Sequence, residues 1–265
     1  MPKVAGEHKR ISAILKQEKE KGIKIRPKRA RIIGVFSCKG GVGKTTTVAN
    51  LSTVLSEKMG ADVLTVDANL GAPNLGLHFG ELTPKVTIHD VIANDLPIEK
   101  AILENQGVRA IFGSIAYEDE VRLVDLREVL APLKAKFKVI ILDSAPGIGS
   151  EVVAALKACD DIVIVTNPYV PTVASTLKTF RVAEKYKVPI LGVVVNRVAN
   201  ESFELPTKEI RKALGWPVIA VIPEDRKVRE STAAGIPVVR YTPKSPAALE
   251  LKRLGEFIVD HIKKG

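Results

Sequence analysis

The hydrophobic positions of this 265-residue chain fall into short runs separated by longer helical stretches. The runs at 32–37, 61–67, 109–112, 138–143, 161–166, 190–196 and 217–222 are rich in Val and Ile and uniformly apolar. A strand covered on one face alternates apolar with polar residues, whereas one covered on both faces does not. These runs therefore read as parallel strands inside an α/β layer structure. The stretches between them predict helices, among them Thr45 to about Met59. A last helix runs from Pro246 to Lys264, where Ala248, Leu251, Leu254, Phe257, Ile258 and Ile262 recur at helical spacing against the core. Right-handed crossovers then give one doubly wound, mostly parallel sheet flanked by helices. A ligand of such a sheet sits at the carboxyl ends of its strands.

Before Ile32 the pattern changes. Ile11, Ile14 and Leu15 share one helical face between Glu7 and Lys21, with Val4 earlier; Gly22 can end that helix, and Pro27 interrupts the basic stretch beyond it. Residues 1–31 carry eleven Lys/Arg against three Glu, a net of +8, while the whole chain carries +10. The predicted organisation is thus a basic arm, 1–31, followed by a nearly neutral domain, 32–265. Such an arm binds anionic lipid, nucleic acid or an acidic partner, or is simply a solvated leader.

At 46% apolar and 26% charged residues, the chain has a composition with which most of it should fold. Two cysteines, Cys38 and Cys159, make no disulfide framework and lack metal-ligand spacing, and the four histidines form no cluster. No apolar run approaches a membrane span and the N-terminus is too polar for a signal peptide, so a cytoplasmic protein is expected.

The chemistry is concentrated after the first apolar run. Residues 38–46 read Cys-Lys-Gly-Gly-Val-Gly-Lys-Thr-Thr, between a strand and a helix. A glycine-rich turn there lets backbone N–H groups close around phosphate oxygens, which makes Gly40, Gly41, Val42, Gly43, Lys44, Thr45 and Thr46 the phosphate-binding residues. Lys44 can reach the β/γ-phosphates and the Thr45 hydroxyl can ligate Mg²⁺. Cys38 stands where the strict pattern has glycine; it reads as a small turn residue or as a redox-sensitive thiol.

Two further strands end in carboxylates, at Asp67 and at Asp143. A carboxylate at the end of an apolar strand is costly unless partnered, and Mg²⁺ with its water shell is a natural partner. Asp143 therefore reads as the Walker B carboxylate, and Asp67 as a second group near the metal or the attacking water. Asn196 and Arg197 close another strand, where an amide can pair with a purine edge and a guanidinium can stack on it. Pro223, Glu224 and Asp225 form the corresponding loop at the next strand.

Together these stretches resemble the MinD/ParA family of deviant-Walker ATPases over nearly all of residues 32–262. The marks are Lys39-Gly-Gly-Val-Gly-Lys44-Thr-Thr, Val66-Asp67-Ala-Asn-Leu-Gly-Ala-Pro-Asn74, Asp143-Ser-Ala-Pro-Gly147, Val165-Thr166-Asn-Pro168, Val195-Asn196-Arg197, Ile222-Pro223-Glu-Asp225 and Pro243-Lys-Ser-Pro246-Ala. The Asp143-Ser and Pro-Lys-Ser-Pro-Ala stretches resemble the MinD branch more than ParA. The resemblance implies a P-loop NTPase fold of the SIMIBI type and an ATP-driven homodimer around two ATP–Mg²⁺. In it Lys39 reaches the partner's phosphates, an activator protein stimulates hydrolysis, and the dimer meets a surface or partner it helps to position.

Two departures modify the expectation. The family usually has aspartate where this chain has Asn69; an amide orients water without taking its proton, which slows hydrolysis, unless Asp67 suffices. Membrane-binding MinD proteins also append a basic amphipathic tail, while this chain reads as closing within its last core helix. Contact with an anionic membrane or DNA is therefore expected through the basic arm. The rival expectations are a ParA-like DNA-partitioning ATPase and a slow-turnover nucleotide-binding scaffold of the flagellar or archaellar placement type.

Overall fold

The computed structural model describes residues 30–117 and 124–264. The helical face expected between Glu7 and Lys21 lies outside them. One eight-stranded sheet has the order β3-β4-β2-β5-β1-β6-β7-β8. Its strands are β1 (Arg31–Phe36), β2 (Val63–Ala68), β3 (Leu103–Asn105), β4 (Val108–Ile111), β5 (Val139–Ser144), β6 (Asp161–Thr166), β7 (Ile190–Val198) and β8 (Val218–Pro223). All neighbours pair in parallel except β3 with β4. The apolar runs thus form the parallel strands, and the doubly wound architecture holds. The short antiparallel edge strand β3 was not expected: Leu103-Glu-Asn105 is too short and polar to announce itself, and its turn places Gln106 and Gly107 both at positive φ.

Every residue of β2, β5 and β6 is buried, as a strand between two helical layers requires. Successive side chains feed two cores. Ile32, Phe36, Leu64, Val66, Ile140 and Leu142 face one, while Ile33, Val35, Val63, Val139 and Ile141 face the other.

The helices follow in chain order as α1 (Lys44–Met59), α2 (Ile88–Asn94), α3 (Leu126–Leu130), α4 (Ser150–Ala158), α5 (Val170–Lys185), α6 (Thr207–Leu214), α7 (Arg226–Ala233), α8 (Val238–Tyr241) and α9 (Pro246–Lys264). Residues of α2 to α6 cover the first core, and α1, α8 and α9 the second. Gly255 shows how closely α9 sits on α1: a Cβ there would lie 2.4 Å from Val54 Cγ1. No helix among the described residues is long and apolar enough to cross a membrane.

At the amino edge of the sheet Arg31 pairs with the buried Asp161, which His261 of α9 also approaches at 3.4 Å. Ala30 N–H donates to Lys134 O (2.8 Å). Ala30 and Arg31 therefore lie at the end of the sheet opposite the carboxyl ends of the strands.

Candidate functional site

The glycine-rich loop joins β1 to α1. Gly41 (φ 77°) and Gly43 (φ 93°) take left-handed backbone conformations that other residues rarely adopt. Gly43 is also required by close approach, since a Cβ there would stand 2.1 Å from Asn196 Nδ2. As the residue before α1 it offers no side-chain cap. A sixteen-residue helix thus begins with first-turn N–H groups directed into the loop, the usual ground for anion binding.

Lys44 and Lys39 stand in opposite environments. Lys44 is buried and its Nζ donates to Asp143 Oδ1 at 2.8 Å. Lys39 is exposed, beside the exposed Gly40 and Gly41, and its carbonyl accepts from Ser37 Oγ (3.0 Å). The backbone of Ser37 in turn accepts from Gly147 N (3.0 Å), tying the loop after β5 to the phosphate loop.

The two strand-end carboxylates meet. Asp67 and Asp143 are register partners on the adjacent parallel strands β2 and β5, both buried. Asp67 accepts from Asn69 N (3.2 Å) and Leu75 N (3.0 Å), which closes the 67–75 loop over it. Burial, and then the like charge of Asp143, push the Asp67 carboxyl up to about 8. The other oxygen of Asp143, Oδ2, is buried without a hydrogen-bond partner among the described residues. An orphaned carboxylate oxygen beside a second carboxylate, with the half-buried Thr45 and Thr46 opening the facing helix, is a donor set of hard oxygens. The residues expected to hold Mg²⁺, namely Thr45, Asp67 and Asp143, therefore fit it. When bound, the ion would neutralise phosphate charge; Lys44 would then have to divide its interactions between Asp143 and a phosphate.

Asn69 is buried beside this cluster, and its Nδ2–H donates to Ala72 O. Its amide thus braces the 69–72 turn, a role invisible in the sequence. Asn196 likewise supports the loop, donating from Nδ2 to Val42 O (2.8 Å). Arg197 (φ 63°) pairs with Glu224 (2.8 Å) and approaches Gly41 O (3.4 Å). Pro223 ends β8, and Asp225 caps α7 through Lys227 N (2.8 Å) while accepting from Ala247 N at the start of α9 (3.2 Å). The residues expected around a purine thus lie together at the carboxyl ends of β7 and β8, next to the phosphate loop.

The chain belongs to the CobQ/CobB/MinD/ParA nucleotide-binding family, whose profile matches residues 33–238. An uncharacterized ATP-binding protein of Methanocaldococcus jannaschii is 36% identical over 230 residues, covering 86% of this chain and 87% of its own. The cell division ATPase MinD of Pyrococcus furiosus superposes with a TM-score of 0.83 at 36% identity, covering 88% of this chain and 99% of that one. The septum site-determining protein MinD of Pyrococcus horikoshii, complexed with Mg-ADP, gives 0.82 at 36% identity over 86% and 96%. The MinD-like resemblance read from the motifs is borne out, and the expected magnesium–nucleotide ligand agrees with the ligand of that neighbour.

Two contributors were not anticipated. Asn167 Nδ2 donates to Asn196 O (2.8 Å) and approaches Val42 O (3.4 Å), so β6 and β7 both grip the loop. Its position inside Val165-Thr166-Asn-Pro168 was the available signal. His89 is buried on α2 and joins two loops, its Nε2 lying 2.9 Å from Leu70 O while its Nδ1 accepts from Ser114 N (3.0 Å). A lone histidine on a short helix gave no signal.

Proposed function

We propose that this protein is an ATP-hydrolysing switch of the MinD type, whose ATP-bound form is a homodimer that positions a cellular structure such as a division site or surface machinery. The carrying observation is the contrast between the two lysines. Lys44 is buried on Asp143 and serves its own subunit's nucleotide, whereas Lys39 projects from the exposed lip of the same loop. A cation exposed at that lip supports the reading that it reaches phosphates held by a second copy, where it would stabilise charge spread over the transferring phosphoryl group. Within the site, Asp67 and the Oδ1 of Asn69, whose Nδ2 is engaged with Ala72 O, orient the attacking water. Asn196, Arg197, Pro223, Glu224 and Asp225 surround the purine.

In this reading ATP assembles the dimer, an activator protein accelerates hydrolysis, and the cytoplasmic protein becomes peripheral to an anionic membrane or DNA through its basic arm. The test is molar mass by light scattering with ATP, with ADP and without nucleotide, together with turnover. Wild type should double its mass only with ATP, and Lys39→Ala should bind ATP yet neither dimerise nor turn over productively. Wild-type turnover in Lys39→Ala would end the cross-subunit assignment.

One observation favours the slow-turnover scaffold as a second reading: the Asn69 amide is engaged with Ala72 O beside Asp67. An ATP-bound dimer that persists for many minutes without an activator would support it.

A further inference from the structure

Two clefts of opposite charge are lined by residues that are, or lie close in the chain to, the bonding partners of Ala30 and β1. One is lined by Arg127, Lys157 and Lys187 beside Asp160, whose backbone N–H and side chain both bond β1 at Ile32. The other is a groove of about 400 Å³ between α2, the 98–101 turn and α3. Its floor is apolar, with Val91 and Ile92 buried and Leu96 and Val129 half-buried, and Pro132 forms one wall. The charged residues that line it are Asp95, Glu99 and Glu128, and all three are acidic. Glu99 already pairs with Lys136 (2.9 Å), while Glu128 is exposed.

We propose that the apolar face of this chain's own N-terminal arm, Ile11, Ile14 and Leu15, docks in this groove, with Lys9, Arg10 and Lys16 against its acidic rim. Three observations converge on that occupant. The first residue of the arm that is described, Ala30, bonds Lys134 O, two residues along the chain from the groove-lining Pro132. The fourteen residues between Leu15 and Ala30 can span roughly 45–50 Å when extended, at about 3.3 Å each, so reach is no constraint. Charge then chooses between the clefts, because a segment rich in Lys and Arg is repelled by the first and attracted by the second. The pattern is also complementary in kind, as an apolar stripe with basic flanks meets an apolar floor with acidic margins. A groove at the small end of the roughly 300–1,000 Å³ of ligand sites suits a few aliphatic side chains better than a whole folded partner.

The consequence is control of the arm. While docked, its lysines are neutralised and withheld from any polyanion; a surface that competes for them releases the stripe and exposes the groove. This holds whichever nucleotide-dependent role the domain plays.

The test uses the full chain, carbodiimide cross-linking and hydrogen exchange. Cross-links from Lys9 or Lys16 to Glu99 or Glu128 should form, with a yield that does not change on dilution. In an equal mixture of isotope-labelled and unlabelled protein they should join residues of one chain. Ile11→Asp/Ile14→Asp should abolish them and speed amide exchange across 91–99 and 124–132 by about tenfold, the mark of a lost local contact. Val129→Lys, which alters the groove and leaves the arm intact, should do the same to the cross-links. Cross-links predominantly between chains would assign the groove to a second copy and overturn docking in cis. Unchanged exchange in the arm variant, or no cross-links in wild type, would overturn the proposal outright.

Discussion

Replacing Lys44 by Met tests the electrostatics of the site most directly. The side chain keeps its length and loses its charge, so packing is little disturbed. What remains is a pair of facing buried carboxylates, Asp67 and Asp143, with no cation between them. Breaking a buried ion pair from one side costs about 3–5 kcal/mol, because the remaining charge is left uncompensated. For a domain of this size, at about 2–4 °C per kcal/mol, the melting temperature should fall by roughly 6–20 °C.

The loss should also depend on pH with a definite sign. Asp67 already titrates in the folded protein at about 8, against an ordinary 3.8, so between those values the native state holds more protons than the unfolded one. Stability of the nucleotide-free wild type therefore falls as pH rises through that window, by at most about 1.4 kcal/mol per pH unit for one group. The Lys44 charge holds the Asp67 carboxyl down, so without it that carboxyl rises further and the fall in stability extends to higher pH. Denaturant titrations of both proteins at pH 5, 7 and 8.5 measure it: the deficit should be largest at pH 8.5 and shrink towards pH 5, where protonation relieves the repulsion. Binding of a fluorescent ATP analogue should be lost in parallel. A variant as stable as wild type at pH 8.5, or a deficit independent of pH, would refute the account of the cluster.

Asn69→Asp should raise turnover about tenfold, roughly 1.4 kcal/mol off the barrier, with little change in KM for ATP. It should also destabilise the nucleotide-free fold by about 1–3 kcal/mol, since the donor to Ala72 O is lost and a third carboxylate joins the cluster. Unchanged or lower kcat in the folded variant would leave Asn69 as a turn residue only. Asn196→Ala removes the 2.8 Å brace on Val42 O and should weaken ATP binding about tenfold, a cost near 1.4 kcal/mol. Competition binding with ATP and GTP separates its two roles: equal losses mean a loop brace, and a selective loss for ATP means contact with the adenine edge.

The parallel sheet was legible because strands covered on both faces must be apolar throughout, and Val and Ile runs at 138–143 and 161–166 leave no other reading. The phosphate loop was legible for a local reason as well. Its chemistry is carried by backbone conformation, and Gly41 and Gly43 declare that conformation in the sequence. The pairing of Asp67 with Asp143 came from register, since both end strands of one sheet. Other features depend on distance between segments rather than on local pattern. Nothing local told that Asn196 and Asn167 would meet Val42 O across 154 and 125 residues, or that Asn69 would spend its amide on Ala72 O. Nor could composition show that Ala30 would bond Lys134, two residues along the chain from the acid-rimmed groove that Pro132 lines. Periodicity and backbone preference act over a few residues, so the sequence by itself determined the layers and the loop. Hydrogen-bond partners and surface charge are set by which strand ends and helices the crossovers bring together, so only the tertiary structure decided how the site is braced and where the acid-rimmed groove lies.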